Sequence, residues 1–146
     1  MITTMHIPQS VLALVFYALW VIALVLMIGV DRVLLVSRGH IKAKDITPGE
    51  PHGNAAYWRI NRAHMNAAEN IGIFAAIVLA GWIAGAETHL FNLLAIIVVA
   101  ARIIQSLIHI VSGSGTAIAF RFIFFAIQLL CEIWMAAIIL HVTHIL

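Results

Sequence analysis

A run of twenty consecutive residues without a charge places the strongest constraint on this chain; it covers residues 11–30, VLALVFYALWVIALVLMIGV. At a rise of about 1.5 Å per residue, a helix of that length spans the roughly 30 Å hydrocarbon core of a bilayer. Inside lipid, every backbone N–H and C=O must find its partner within the protein, so such a run folds as a helix. The sequence therefore predicts a membrane-spanning helix.

Three further apolar segments follow, and together they predict a bundle of four helices. The mean hydropathy is +1.08 and only 10% of the 146 residues are charged, whereas soluble domains carry roughly a quarter. We predict one all-α integral membrane domain over residues 1–146, with spans at about 9–36, 55–86, 89–111 and 117–143. Such a bundle would contact membrane lipids, and it has no basic stripe or soluble element for binding nucleic acid.

The lysines and arginines lie on one side of the predicted bundle. Six of the eight belong to the first connection or its flanks. Arg121 follows the turn between the third and fourth spans, and Arg102 lies toward the end of the third span that meets this turn. The connection at residues 87–89 has no cation. By the positive-inside rule, the cationic connections face the cytosol and both termini lie on the other side.

The second span carries a stripe of polar side chains near its cytosolic end. Arg62, Asn66 and Glu69 follow Arg59 at intervals of three or four residues, so they share one face of a helix. One interpretation is an ion-pair network within and between helices, in which Glu69 neutralises an arginine. The other interpretation is a binding site for a ligand.

The third span has a similar stripe, formed by Arg102, Gln105 and His109, and Arg121 opens the fourth span at the same membrane level. An unpaired guanidinium within a span costs on the order of 2.5–3.5 kcal/mol even on insertion scales. Such residues normally face the bundle interior, where a partner or a ligand compensates the charge. The two stripes are therefore expected to meet.

Several guanidiniums, one carboxylate and a few amides beside an apolar interior suit a ligand of particular chemistry. Arginine binds carboxylates through two hydrogen bonds, and a glutamate suits an ammonium group. The complementary ligand has at least two carboxylates, one ammonium and a polar body. Glutathione meets this description, and a cation near its sulfur would favour the reactive thiolate.

Three other groups invite a functional interpretation. His141 and His144 could share a helix face as metal ligands, but no carboxylate or cysteine lies near them in sequence, and we predict no metal site. Cys131 is interpreted as a small buried residue of the fourth span. Glu132 lies at mid-membrane depth and is either a protonated carboxyl bonded to a neighbour such as Gln128, or part of a proton path.

Residues 62–70, RAHMNAAEN, resemble the second-helix signature of the MAPEG family, the membrane-associated proteins in eicosanoid and glutathione metabolism. Residues 71–74 are similar to the continuation of this motif in bacterial members. Arg102, the short third loop and Arg121 also resemble the third and fourth helices of the family, so the resemblance covers essentially the whole chain. It implies a four-helix membrane bundle that assembles as a homotrimer, with active sites between adjacent subunits near the cytosolic face.

The resemblance also implies roles for individual residues, with glutathione as the co-substrate. Arg121 would be the catalytic residue that stabilises the thiolate. The glutathione-binding residues would be Arg32, Arg62, Asn66, Glu69, Arg102, Gln105 and His109.

These observations predict a membrane-bound glutathione S-transferase or peroxidase that detoxifies hydrophobic electrophiles taken from the bilayer. Two alternatives are a non-catalytic lipid-binding scaffold with the same fold and a small proton-coupled multidrug exporter with Glu132 as the coupling carboxylate. The polar groups cluster at one membrane face instead of following a path through it, and this favours the transferase.

Overall fold

The computed structural model describes residues 7–47 and 54–144, which form four long helices and one short 3-10 helix. The elements are α1 (Gln9–Ser37), the 3-10 helix (Ala43–Asp45), α2 (Ala55–Ile83), α3 (His89–Val111) and α4 (Gly115–Val142). Each long helix is long and apolar enough to cross a membrane. The described part of the chain contains no strand. The predicted all-α, four-helix membrane bundle is confirmed.

Three of the four long helices begin with a capping side chain. Asn54, Thr88 and Ser114 each accept a hydrogen bond from the backbone N–H three residues further on. Such a cap satisfies one of the N–H groups that the first turn of a helix leaves without a partner. After α2, Gly85 adopts a φ of 66°, a left-handed conformation that favours glycine and ends the helix. The helix therefore stops at Ile83, before the boundary near residue 86 expected from the apolar pattern.

The helices α2 and α3 form the centre of the bundle. α1 packs against both of them, and α4 also packs against both. The apolar core between the helices includes Tyr17, Leu24, Phe74 and Val98, and the rings of Tyr17 and Phe74 lie 5.6 Å apart. Because successive helices run in opposite directions, the start of α2, the end of α3 and the start of α4 lie at one end of the bundle.

The outer surface of the bundle is strongly apolar. Large exposed side chains occur on every long helix, for example Phe16, Ile83, Ile104 and Trp134. Lipid chains solvate such side chains, whereas a soluble monomer rarely exposes apolar patches of this extent. The chain therefore has the surface of an integral, multi-pass membrane protein in contact with lipid.

At the opposite end of the bundle, a small polar cluster ties α1 to the connection between α2 and α3. The hydroxyl of Ser10 donates to Glu87 Oε1 at 2.9 Å, and the backbone N–H of Ser10 donates to Asn92 Oδ1 at 2.8 Å. Ser10 is fully buried. These bonds fix the start of α1 against α3.

Gly81 allows α2 to approach Phe91 of α3 closely, and this gives a stability prediction. A Cβ added at residue 81 would overlap the tip of the Phe91 ring, which is fully buried. We expect Gly81→Ala to lower the free energy of unfolding by about 1–3 kcal/mol, as overpacked cores do. Thermal unfolding in detergent measures the effect. Gly72→Ala on the same helix is the matched control, because the space around Gly72 is open; equal losses in both variants would contradict the packing.

Candidate functional site

One face of α2 carries charged side chains that the other helices leave uncovered. Arg62 and Glu69 are exposed, and Asn66 is half-buried. Glu69 forms no hydrogen bond or close ion pair with another described residue, and its interaction with Arg102 is electrostatic only. It lies about 21 Å along the helix from Ala55, well inside the span. Charges at such depth normally face protein or a water-filled cavity, not lipid.

Arg102 lies in the interior of the bundle, with only 1% of its surface exposed. Its Nη1 donates to Gln105 Oε1 at 2.9 Å, to the backbone oxygen of Asn66 at 3.3 Å, and to Asn66 Oδ1. The centre of its guanidinium lies 5.7 Å from the centroid of the Tyr17 ring. The two predicted stripes therefore meet at Arg102 and Asn66, which join α3 to α2.

Gln105 connects Arg102 to the fourth helix. Its Oε1 accepts from Gln128 Nε2 at 3.1 Å as well as from Arg102, and its Nε2 donates to the backbone oxygen of Arg121 at 3.1 Å. Gln128 also donates to the backbone oxygen of Phe124 at 2.7 Å. Gln105 thus fixes the height of α4, and with it Arg121, relative to Arg102.

Gln128 is a part of this network that the sequence analysis did not assign to the site. The sequence feature that could have identified it is an amide side chain within an apolar span. It lies seven residues after Arg121 and therefore on the same helix face. The amide is fully buried, and its Oε1 has no hydrogen-bond partner among the described residues.

Arg121 and His109 form the edge of the network at the end of the bundle. Arg121 Nη1 lies 2.7 Å from His109 Nδ1, and both side chains are half-buried. The charges of Arg62, Arg102 and Arg121 all lie within electrostatic range of the His109 ring. Of these three guanidiniums, that of Arg121 is the one that contacts the imidazole.

Arg32 lies apart from this group. Its Nε donates to the hydroxyl of Tyr57 at 2.9 Å, and Tyr57 is buried at the start of α2. Nine residues, or about 13.5 Å of helix, separate Tyr57 from Asn66. Arg32 thus makes no hydrogen bond to the other predicted site residues in the described chain, and Tyr57 is a partner that the sequence analysis did not identify.

The histidines at the end of α4 do not share a helix face. α4 ends at Val142, and His144 adopts a φ of 57° beyond it. The face-sharing pair considered as metal ligands is therefore not formed. Cys131 of α4 is buried in the apolar core between the helices.

The chain was also compared with known proteins. A model of the MAPEG family matches residues 10–141. This match extends from the first turn of α1 to the last turn of α4, so it includes every residue of the polar network. A search of curated proteins finds no match. The family resemblance noted for residues 62–74 is confirmed by the match to the whole four-helix domain: the chain belongs to the MAPEG family.

Proposed function

We propose that this protein is a membrane-bound glutathione S-transferase, with peroxidase activity toward lipid hydroperoxides. The family includes glutathione-dependent enzymes and also members without catalysis, so the choice rests on the site. The observation that carries the proposal is the polar network at one end of the bundle, in which Arg102 binds Asn66 and Gln105 and Arg121 contacts His109. Arginine side chains on and beside this network suit a ligand with two carboxylates and an ionisable thiol.

The proposed roles follow from exposure and hydrogen bonding. Arg62 and Glu69 are exposed and form no side-chain hydrogen bond in the described chain, so they are available for a carboxylate and an ammonium of glutathione. Asn66 is held by Arg102 and would bind a peptide group of the ligand. Arg121 would hold the sulfur as a thiolate. Gln105 and His109 would position Arg102 and Arg121, respectively.

We propose that the site is completed by a neighbouring subunit in a homotrimer. The charged face of α2 is uncovered in a single chain, yet Glu69 lies deep in the span, where lipid does not solvate a carboxylate. A protein interface with a polar ligand would cover it. Arg32 lies away from Arg102 within one chain, so its proposed part in binding requires that it reach the site of the adjacent subunit.

The cationic connections favour a position of this site near the cytosolic face, with both termini on the other side. The electrophile would enter from the bilayer, because the outer faces of the helices are apolar. The water-soluble thiol and the lipid-soluble substrate would thus meet at the membrane boundary. The proposed activity is a general detoxification of hydrophobic electrophiles.

The proposed chemistry needs no group beyond the two substrates. In conjugation, the thiolate forms a C–S bond with the electrophilic carbon, and a halide or other anion leaves with the bonding electrons. In peroxide reduction, the thiolate attacks the terminal oxygen of the hydroperoxide, the O–O bond breaks and a sulfenic acid forms. The alkoxide that leaves takes a proton from water and becomes the alcohol. A second glutathione converts this acid to the disulfide and water. The protein contributes positioning and electrostatic stabilisation of the thiolate.

The direct test is conjugation of glutathione to a chloronitroarene by the purified protein in detergent. We expect a rate that saturates with glutathione, exceeds the solution reaction and is absent after heat denaturation. A protein that folds, shows no such rate and reduces no lipid hydroperoxide would not be the proposed enzyme.

A second candidate, a non-catalytic lipid-binding protein, is favoured by one observation. An apolar groove of about 410 Å³ lies between α1 and α3, lined by residues such as Leu12, Phe16, Ile96 and Ile103. This candidate predicts that fatty acids raise the melting temperature while glutathione has no effect and no conjugation occurs. The exporter with Glu132 as coupling carboxylate instead predicts efflux driven by a pH gradient in vesicles.

A further inference from the structure

Glu132 of α4 is a carboxyl group buried in the centre of the bundle. Only 2% of its surface is exposed. Its Oε1 accepts a hydrogen bond from Asn70 Nδ2 of α2 at 3.0 Å. Gln128, the partner considered from the sequence, is instead bonded to Gln105 and to the backbone of its own helix. Glu132 makes no contact with the exposed stripe of α2 and lies outside the proposed glutathione contacts.

Two helices independently place Glu132 one turn from the Arg102 network. On α2, Asn66 binds Arg102 and Asn70 binds Glu132, and these asparagines are four residues, or about 6 Å, apart. On α4, Gln128 shares the acceptor Gln105 Oε1 with Arg102, and Glu132 follows Gln128 by the same four residues. The guanidinium and the carboxyl group therefore occupy adjacent layers of the same core.

Both Arg102 and Glu132 have buried polar atoms that form no hydrogen bond within the described chain. Arg102 Nε and Nη2 and Glu132 Oε2 are buried and have no hydrogen-bond partner among the described residues. The Oε1 of Gln128, in the layer of Arg102, also has no hydrogen-bond partner among the described residues. The two groups nevertheless interact electrostatically. Two free donors and two free acceptors within one turn are the surroundings in which buried water is found.

We propose that Glu132 is the buried counter-ion of Arg102, joined to it through an enclosed water site, and that this pair fixes the guanidinium toward Asn66. A charge in the core of a span needs compensation, and Glu132 is a buried carboxyl group one layer from Arg102 that interacts with it electrostatically. The Tyr17 ring closes the layer from α1. Glu132 is then a positioning residue: it touches no substrate and acts through Arg102.

The consequence for the ligand rests on the proposed function. With Glu132 in place, Nη1 of Arg102 is directed at Asn66 and Gln105, and Asn66 stands at the edge of the exposed α2 stripe. Without the carboxylate, the guanidinium would be drawn toward other acceptors or toward water, and Asn66 would lose its fixed orientation. Glutathione binding would weaken, while the thiolate held at Arg121 would be little changed.

The counter-ion is tested first by a cycle of variants that needs no ligand. We expect Glu132→Gln to lower the melting temperature in detergent by roughly 6 °C or more, because it leaves Arg102 uncompensated. In an Arg102→Gln background the same change should have a much smaller effect. Additive losses would overturn the proposal. If Arg102→Gln does not fold, the infrared difference spectrum between wild type and Glu132→Gln is used instead. We expect it to show the band of an ionised Glu132 carboxylate. The band of a protonated carboxyl group would overturn the proposal.

The positioning role is tested by binding and kinetics. We expect Glu132→Gln to raise the Kd of glutathione about tenfold with little change in kcat, and Glu132→Asp to restore part of the affinity. The matched control is Glu87→Gln, a carboxyl group at the other end of the bundle, which should bind glutathione like the wild type. A folded Glu132→Gln with unchanged Kd would overturn this role. If the wild type itself binds no glutathione, the proposed function fails, and the stability cycle still decides the counter-ion.

Discussion

Arg121→Gln is expected to abolish the thiolate absorbance of bound glutathione at neutral pH and to lower kcat for conjugation by about 10²–10³-fold. The side chain of Arg121 carries the positive charge next to His109, whereas its backbone oxygen, which anchors Gln105, is unaffected by the substitution. The position of α4 relative to α3 should therefore stay the same, while the positive charge at residue 121 is removed. Difference absorbance on titration with glutathione measures the thiolate, and S-methylglutathione provides the blank.

Two further variants sharpen this prediction. Arg121→Lys keeps the charge but loses the planar fork, so it should retain part of the thiolate signal. Arg38→Gln removes an exposed arginine from the end of α1 and should behave as the wild type. If Arg121→Gln folds and still forms the thiolate to the same extent, Arg121 is not the group that stabilises it.

Arg62→Ala is expected to raise the Kd of glutathione roughly 30-fold or more, equivalent to about 2 kcal/mol, through loss of a charge-assisted pair with a ligand carboxylate. Arg62 is exposed and forms no hydrogen bond within the described chain, so its removal should leave the melting temperature nearly unchanged. Isothermal titration of the detergent-solubilised protein measures the affinity.

Ligand analogues can identify the contact of Arg62. Two analogues of glutathione, each with one of its carboxylates replaced by an amide, should both bind the wild type more weakly. The analogue that lacks the carboxylate bound by Arg62 should bind the wild type and Arg62→Ala equally well, because it cannot form this ion pair with either protein. Arg38→Ala is the matched arginine control. An Arg62→Ala protein with wild-type affinity for glutathione would exclude Arg62 from the site.

The fold could be predicted from the sequence because a bilayer leaves few choices. An apolar run of the length of residues 11–30 must be a helix in lipid, and three more such runs lead to four helices. The spacing of Arg62, Asn66 and Glu69 identified one face of α2. The end of α2 was harder to place, since the apolar pattern continues beyond Ile83 and the break depends on the backbone of Gly85.

The contacts between helices could not be predicted in the same way. Helical spacing tells which side chains share a face, but not which face of the next helix they meet or at what height. The pairing of Glu132 with Asn70, and the shared acceptor on Gln105, depend on the relative heights of α2, α3 and α4. The position of Arg32 beside Tyr57, away from Arg102, likewise follows from packing and not from spacing.

An experimental structure of the purified oligomer with glutathione tests most directly whether Arg62 and Arg121 bind this thiol. We expect the tripeptide between adjacent subunits, with its sulfur within hydrogen-bonding distance of Arg121, one carboxylate on Arg62 and its ammonium on Glu69. A tripeptide bound elsewhere, or an oligomer in which the charged face of α2 meets lipid with no ligand at saturating glutathione, would contradict this expectation.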